Sequence, residues 1–142
     1  MINFLKFNKA IEHTAFTYLY EMKNLINYIA HITNKKFQTI QSLSGGSISS
    51  AYLLKWDKGA YFLKVNSNSD ALDMFKAEQK GLQAIEETNT IAVPKVYYID
   101  VYENKSFLLM DYVVSKSANE SDYKTLGTQL AKLHLNQKDK FG

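Results

Sequence analysis

The sequence predicts an α+β fold: a five-stranded, mostly antiparallel sheet with one helix inserted between the third and fourth strands and further helices flanking it. Three observations predict it. Five short runs are rich in β-branched, aromatic and other apolar residues, as strands are. One longer run, between the third and fourth of them, places apolar residues at helical spacing. Polar turn signals at Asp57-Lys-Gly59, Ser67-Asn-Ser-Asp70, Thr88-Asn-Thr90 and Glu103-Asn104 separate these runs.

In order along the chain, Leu25, Ile26, Ile29 and Ala30 give a helix over Met22 to Ile32. It ends at Thr33-Asn34, whose short polar side chains compete with the helix backbone. The segment Thr14 to Tyr20 either extends that helix or forms a loose arm, and Met22 is a candidate natural start. Phe37 to Ser42 and Ile48 to Trp56 read as strands separated by Leu43-Ser-Gly-Gly-Ser47. Asp57-Lys-Gly59 turns the chain into a third strand, Ala60 to Asn66. Ser69 or Asp70 caps a helix running to about Glu87. Val93-Pro94 leads into a fourth strand, Lys95 to Val101, and Ser106 to Val113 forms a fifth with the nearly all-apolar centre Phe107-Leu-Leu-Met110. After the polar stretch Ser115 to Ser121, Leu126, Leu130 and Leu133 mark a last helix from Tyr123 to Leu135. There are no repeats or low-complexity tracts.

Composition narrows the function classes. At 142 residues the chain is long enough for one domain with a real core. A net charge of +3 with no basic run beyond Lys35-Lys36 gives no nucleic-acid or membrane surface. The absence of cysteine excludes disulfides, thiolate nucleophiles and cysteine metal sites, and fits a cytoplasmic setting. The N-terminus is interrupted by Asn3, Lys6, Asn8 and Lys9, so it lacks a signal-peptide core, and no stretch approaches a membrane span.

The pair that carries most chemistry is Lys64 and Glu78. Phe62 and Lys64 share one strand face by period two, while Met74, Glu78, Leu82 and Ile85 share one helix face. Glu78 is therefore predicted to point inward. Because a buried unpaired carboxylate costs several kcal/mol, it calls for a cation, and Lys64 is the nearest inward candidate. The competing reading puts Lys64 on a solvated sheet face and Glu78 on the surface. Gly45 and Gly46, followed by Ser47, let backbone N–H groups approach phosphate oxygens, although Gly-Gly between strands also makes an ordinary turn. The order of glycine loop, lysine strand and glutamate helix favours phosphate binding. Met110, Asp111 and Tyr112 end the fifth strand, where backbone groups can meet a purine edge; alone they are a strand end before a loop. Phe62 reads equally as a cover for the base or as core. His134 is read as a structural histidine at a helix end, with His13 and His31 far from it in sequence and no ligand cluster nearby. No G-x-S-x-G nucleophile motif is present.

With these residues stands a wider set: Ser44-Gly-Gly-Ser-Ile-Ser49, Phe62-Leu-Lys-Val-Asn66, Met74-Phe-Lys-Ala-Glu78, Val93-Pro-Lys-Val96, Phe107-Leu-Leu-Met-Asp111, Leu126-Gly-Thr-Gln-Leu-Ala-Lys-Leu-His134 and Phe141-Gly142. From Met22 to Gly142 the chain resembles the fructosamine kinase (ketosamine-3-kinase) family, relatives of the aminoglycoside and choline kinases. The resemblance implies a protein-kinase-like small lobe over residues 22–113, preceded by an extension or helix over 1–21. Residues 114–142 would be a connector and the first helix of a second lobe. It further implies ATP-dependent phosphorylation of the 3-hydroxyl of ketosamines, the fructosamine and ribulosamine adducts of amines, in deglycation. Gly45, Gly46 and Ser47 would cover the phosphates, Lys64 with Glu78 would hold them, and Met110, Asp111 and Tyr112 would bind adenine.

The chain departs from the family twice. Ser47 stands where members often carry a cysteine, so no redox switch is expected. The family's His-Gly-Asp catalytic loop and its Mg²⁺ ligands are not in this sequence, so the 142 residues alone are expected to show no phosphotransfer. The alternatives are a non-catalytic docking or remnant lobe, a separately encoded C-terminal lobe as partner, or an aminoglycoside or choline-like acceptor.

Overall fold

The computed structural model describes residues 2–44 and 48–136, with side chains over 17–44 and 48–136. Two compact units divide at Gln38 and Thr39.

The first contains α1, Ile2–Thr33, one uninterrupted helix where the sequence decided only Met22 to Ile32. Met22, Leu25, Ile26 and Ile29 are its buried stripe, at the i, i+3, i+4, i+7 spacing of one helix face. Its end is built as read from Thr33-Asn34. Asn34 takes a left-handed φ of 51°, the Lys35 N–H donates to the Ala30 carbonyl at 3.1 Å, and the Asn34 N–H donates to that of His31 at 3.2 Å. That double closure is the Schellman arrangement, and Asn tolerates the left-handed position better than most side chains.

The second unit runs β1 (Thr39–Leu43), β2 (Ser50–Trp56), β3 (Gly59–Asn66), α2 (Ala71–Glu86), β4 (Val96–Tyr102), β5 (Lys105–Asp111) and α3 (Glu120–His134). Its five strands form one sheet in the order β1-β2-β3-β5-β4, with every neighbouring pair antiparallel. The elements are those the sequence predicts, with strand ends displaced by one or two residues. A two-residue turn at Asp57-Lys58 joins β2 to β3, and Gly59 follows it close against the Trp56 ring. A Cβ on it would lie 2.8 Å from the Trp56 ring, which itself stacks on Tyr61 at 4.4 Å between centroids. Glu103 turns β4 into β5 with a φ of 53°.

The core sits around β3 and β5. On one side of each strand Leu54, Leu63, Phe107 and Leu109 are buried. On the other, Phe75 of α2 packs with Leu108 and Met110, and Phe62, Leu82, Val96 and Ile99 surround them. The inward stripe of α2 therefore runs through Ala71, Phe75, Glu78 and Leu82. Met74, predicted to point inward, is 37 % exposed. It lies one position, about 100°, off the stripe that Phe75 centres.

α3 begins three residues before its predicted start because Asn119 and Asp122 form a capping box. The Asp122 N–H donates to Asn119 Oδ1 at 3.1 Å and the Asn119 N–H to Asp122 Oδ2 at 3.0 Å. Lys116 reaches the same carboxylate at 2.7 Å, and this ion pair, followed by the cap, holds it below the usual carboxylate range. The predicted leucine stripe is helical but not covered: α3 buries no residue, and Leu126, Leu130 and Leu135 are exposed.

Candidate nucleotide site

β3 and α2 bring Lys64 and Glu78 together. Lys64 Nζ donates to both carboxylate oxygens at 2.7 Å, the short distance of a charge-assisted bond. Register explains the meeting. Lys64 lies opposite Ala51 on β2 and Leu108 on β5, and Phe62 opposite Leu53 and Met110, so all share the face on which α2 rests. Ala51, a small buried side chain beside Lys64, leaves the lysine room to extend. The pair is not fully buried as the sequence suggested: the side chains are 30 % and 32 % exposed. Solvent screening then limits its contribution to stability to about 1 kcal/mol. What remains is direction, since the carboxylate fixes a charge at the sheet's surface.

Gly45, Gly46 and Ser47 lie outside the described residues. The stem after them is held by Asn66, a buried side chain the sequence reading passed over. Its Nδ2 donates to the Ile48 carbonyl at 3.0 Å and to Ser49 Oγ at 3.3 Å, and its Oδ1 accepts the Asn68 N–H at 2.8 Å. A polar residue ending an apolar strand two positions after Lys64 was the available signal.

At the other end of the same strands, the Met110 side chain is core, and Phe62 packs against it while partly exposed. Asp111 lies opposite Tyr61, on the other face from Lys64. Its carboxylate is tied to β4: Oδ2 accepts the Lys95 N–H at 2.9 Å and Oδ1 accepts the Tyr97 hydroxyl at 2.8 Å. A bulge between Val96 and Tyr98 re-aims Tyr97 to make that bond. The bond to Asp111 first, then desolvation and nearby charge, raises the Tyr97 hydroxyl above the usual tyrosine range. Burial, then the charges of Tyr98 and Asp111, does the same for Tyr61, 5.1 Å from the Tyr97 ring. Backbone N–H groups of Asp111 and Tyr112 donate to the carbonyls of Lys95, at 3.0 Å, and Ala60, at 3.4 Å. Neither Lys95 nor Tyr97 carried a sequence signal for this role.

Among the described residues no three His, Asp or Glu side chains converge as a metal site. His134 is exposed in the last turn of α3, where a basic side chain suits the helix terminus. A groove between α2 and the start of β4, lined by Leu82, Gln83, Glu86 and Pro94, contains neither Lys64 nor Glu78.

The sequence profile of the fructosamine kinase family matches residues 21–142. The chain belongs to that family. It is similar to a mouse ketosamine-3-kinase, at 41 % identity over 95 residues covering 66 % of this chain and 30 % of the relative. It is also similar to a chloroplastic protein-ribulosamine 3-kinase of Oryza sativa subsp. indica, at 34 % identity over 70 % of this chain and 29 % of the relative. Among crystal structures, a proposed fructosamine-3-kinase of Haemophilus somnus 129PT matches with a TM-score of 0.67 and 28 % identity, over 73 % of this chain and 35 % of that one. A spectinomycin phosphotransferase shares the fold, with a TM-score of 0.54 at 14 % identity over 74 % of this chain and 35 % of that one. The chain spans about a third of the length of the curated relatives it matches. No helix among the described residues is long and apolar enough to cross a membrane.

Proposed function

We propose that this fructosamine kinase family chain supplies the ATP-binding lobe for phosphorylation of ketosamines at the 3-hydroxyl. Lys64 would face the α- and β-phosphates, Glu78 would direct it, and Gly45, Gly46 and Ser47 would cover them. Phe62, Met110, Asp111 and Tyr112 would line the purine. In the reaction the ketosamine oxygen forms a bond to the γ-phosphorus as the bond to the β,γ-bridging oxygen breaks, leaving ADP and a phosphoester, and the hydroxyl proton leaves to a base. The observation that carries this reading is the Lys64–Glu78 contact at 2.7 Å on a partly open sheet face, within a family whose relatives are named for ketosamine and ribulosamine kinases. A structural ion pair alone needs no open face. Aminoglycoside and choline-like acceptors are the competing substrates. A cysteine-free chain suits a reducing, cytoplasmic setting.

Two experiments test it. ATP titrated into the chain should bind, and Lys64→Ala should weaken binding more than Glu78→Ala; no change in either variant overturns the assigned pair. The chain joined to a complete second lobe should phosphorylate fructosamine or ribulosamine in preference to aminoglycosides or choline. Preference for either of the latter overturns the acceptor.

A further inference from the structure

The end of β5 departs from a regular ladder in a way that ion pairing does not explain. In an antiparallel sheet, a hydrogen-bonded pair exchanges two bonds, each residue's N–H donating to the other's carbonyl. Asp111 and Lys95 make one of them, Asp111 N–H to Lys95 carbonyl at 3.0 Å. The return bond is diverted, for the Lys95 N–H goes to the Asp111 carboxylate at 2.9 Å. On the β3 side, the Tyr112 N–H bonds the Ala60 carbonyl, which by alternation makes Tyr61–Asp111 a non-hydrogen-bonded pair. The Asp111 carbonyl thus lacks a ladder donor on either side, at the point where the sheet ends. The diversion is anchored, because Tyr97 holds the second carboxylate oxygen at 2.8 Å and is itself placed by the bulge.

We propose that the Asp111 carboxylate is a positioning group that captures the Lys95 N–H and so keeps the Asp111 carbonyl open to accept a hydrogen bond from the exocyclic amine of a 6-aminopurine. The inference rests on the nucleotide-binding reading above and adds to it a determinant of base selectivity. Recognition falls to an acceptor because the N–H groups of Asp111 and Tyr112 are already engaged. A 6-oxopurine, as in inosine or guanine, would set a carbonyl against a carbonyl and leave both unpaired. Without the carboxylate, the Lys95 N–H would return to the Asp111 carbonyl and close the ladder.

The test compares ATP with ITP, which differ at that group, in titrations of the chain, D111A, D111N and Y97F, with circular dichroism to verify the sheet. The unsubstituted chain should prefer ATP by about tenfold, the cost of one unpaired polar group. D111A should lose the preference through weaker ATP binding, with ITP little changed. D111N, whose carboxamide oxygen can still take the Lys95 N–H, should keep it. A purely structural Asp111 would weaken both nucleotides together. Y97F keeps the Lys95 bond but frees one carboxylate oxygen and should reduce the preference several-fold. Should D111A fail to fold, Y97F decides, and an unchanged preference there overturns the proposal. Equal binding of ATP and ITP by the unsubstituted chain also overturns it while leaving nucleotide binding intact. Binding of neither removes the nucleotide reading and this inference with it.

Discussion

Lys64 and Asp111 stand near opposite ends of the paired strands β3 and β5, and they are held in different ways. Lys64 is fixed by one side-chain partner on another element: Glu78 of α2 meets it at 2.7 Å across a partly solvated gap. Asp111 is fixed by its own sheet, through a backbone N–H and a hydroxyl from the first residues of the β4 region. Charge at the first end depends on the seating of a helix. Hydrogen-bond geometry at the second depends on a bulge and a strand terminus. The first arrangement should fail when packing under α2 fails, and the second should survive it.

Removing Phe75 is the most severe way to break the first end. Its ring is 1 % exposed between α2 and the Leu108–Met110 face, so Phe75→Ala should cost about 3–5 kcal/mol in a denaturant titration. Protection of α2 amides should fall before that of β5 if the two ends are independent. Equal loss throughout would mean that one cooperative unit holds both.

Lys64→Ala should have the next largest effect and should act on binding. Loss of a charge-assisted contact to phosphate, about 1.5–3 kcal/mol, corresponds to roughly ten- to a hundredfold weaker ATP binding. Stability should move by about 1 kcal/mol or less, because the pair is a third exposed. Glu78→Ala should weaken ATP several-fold, since the cation remains but its direction is lost. A double-mutant cycle that finds the two substitutions additive would show that Glu78 does not direct Lys64.

The same contrast explains what could be read from the sequence. Lys64 and Glu78 were legible because the chemistry lies in side chains whose types conflict with their apolar neighbours, and periodicity places both on one interface. The five strands along the chain and the inserted helix followed from turn residues and alternation, whereas the pairing of β3 with β5 did not. Asp111 was chosen only as part of a strand end, because the feature that matters is which N–H meets which oxygen. Nothing in Lys95-Val-Tyr97 announces a bulge, and a one-residue slip there decides whether Tyr97 reaches the carboxylate. Met74 was misplaced for the opposite reason: it is apolar and near the stripe, but Phe75 fills the space. The leucines of α3 show that an apolar stripe identifies a helix without identifying what covers it.

A smaller effect would sharpen the comparison at the second end through the proton on Tyr97. Its hydroxyl donates to Asp111, an arrangement that favours the protonated phenol and raises its pKa above the unfolded value of about 10. The sign follows: this contribution to stability is complete below the unfolded tyrosine range and is lost as pH rises through the folded value. In a titration followed by tyrosine ring-carbon NMR, the Tyr97 signal should therefore move at higher pH than the ordinary tyrosine value of about 10. Asp111→Ala should bring it back towards that ordinary value, since the bond to Asp111 is the largest cause of the shift. Glu78→Ala should leave it unmoved, because the ion pair and the clamp share no partner. A Tyr97 titration that follows Glu78 instead would join the two ends into one network and remove the distinction drawn between them.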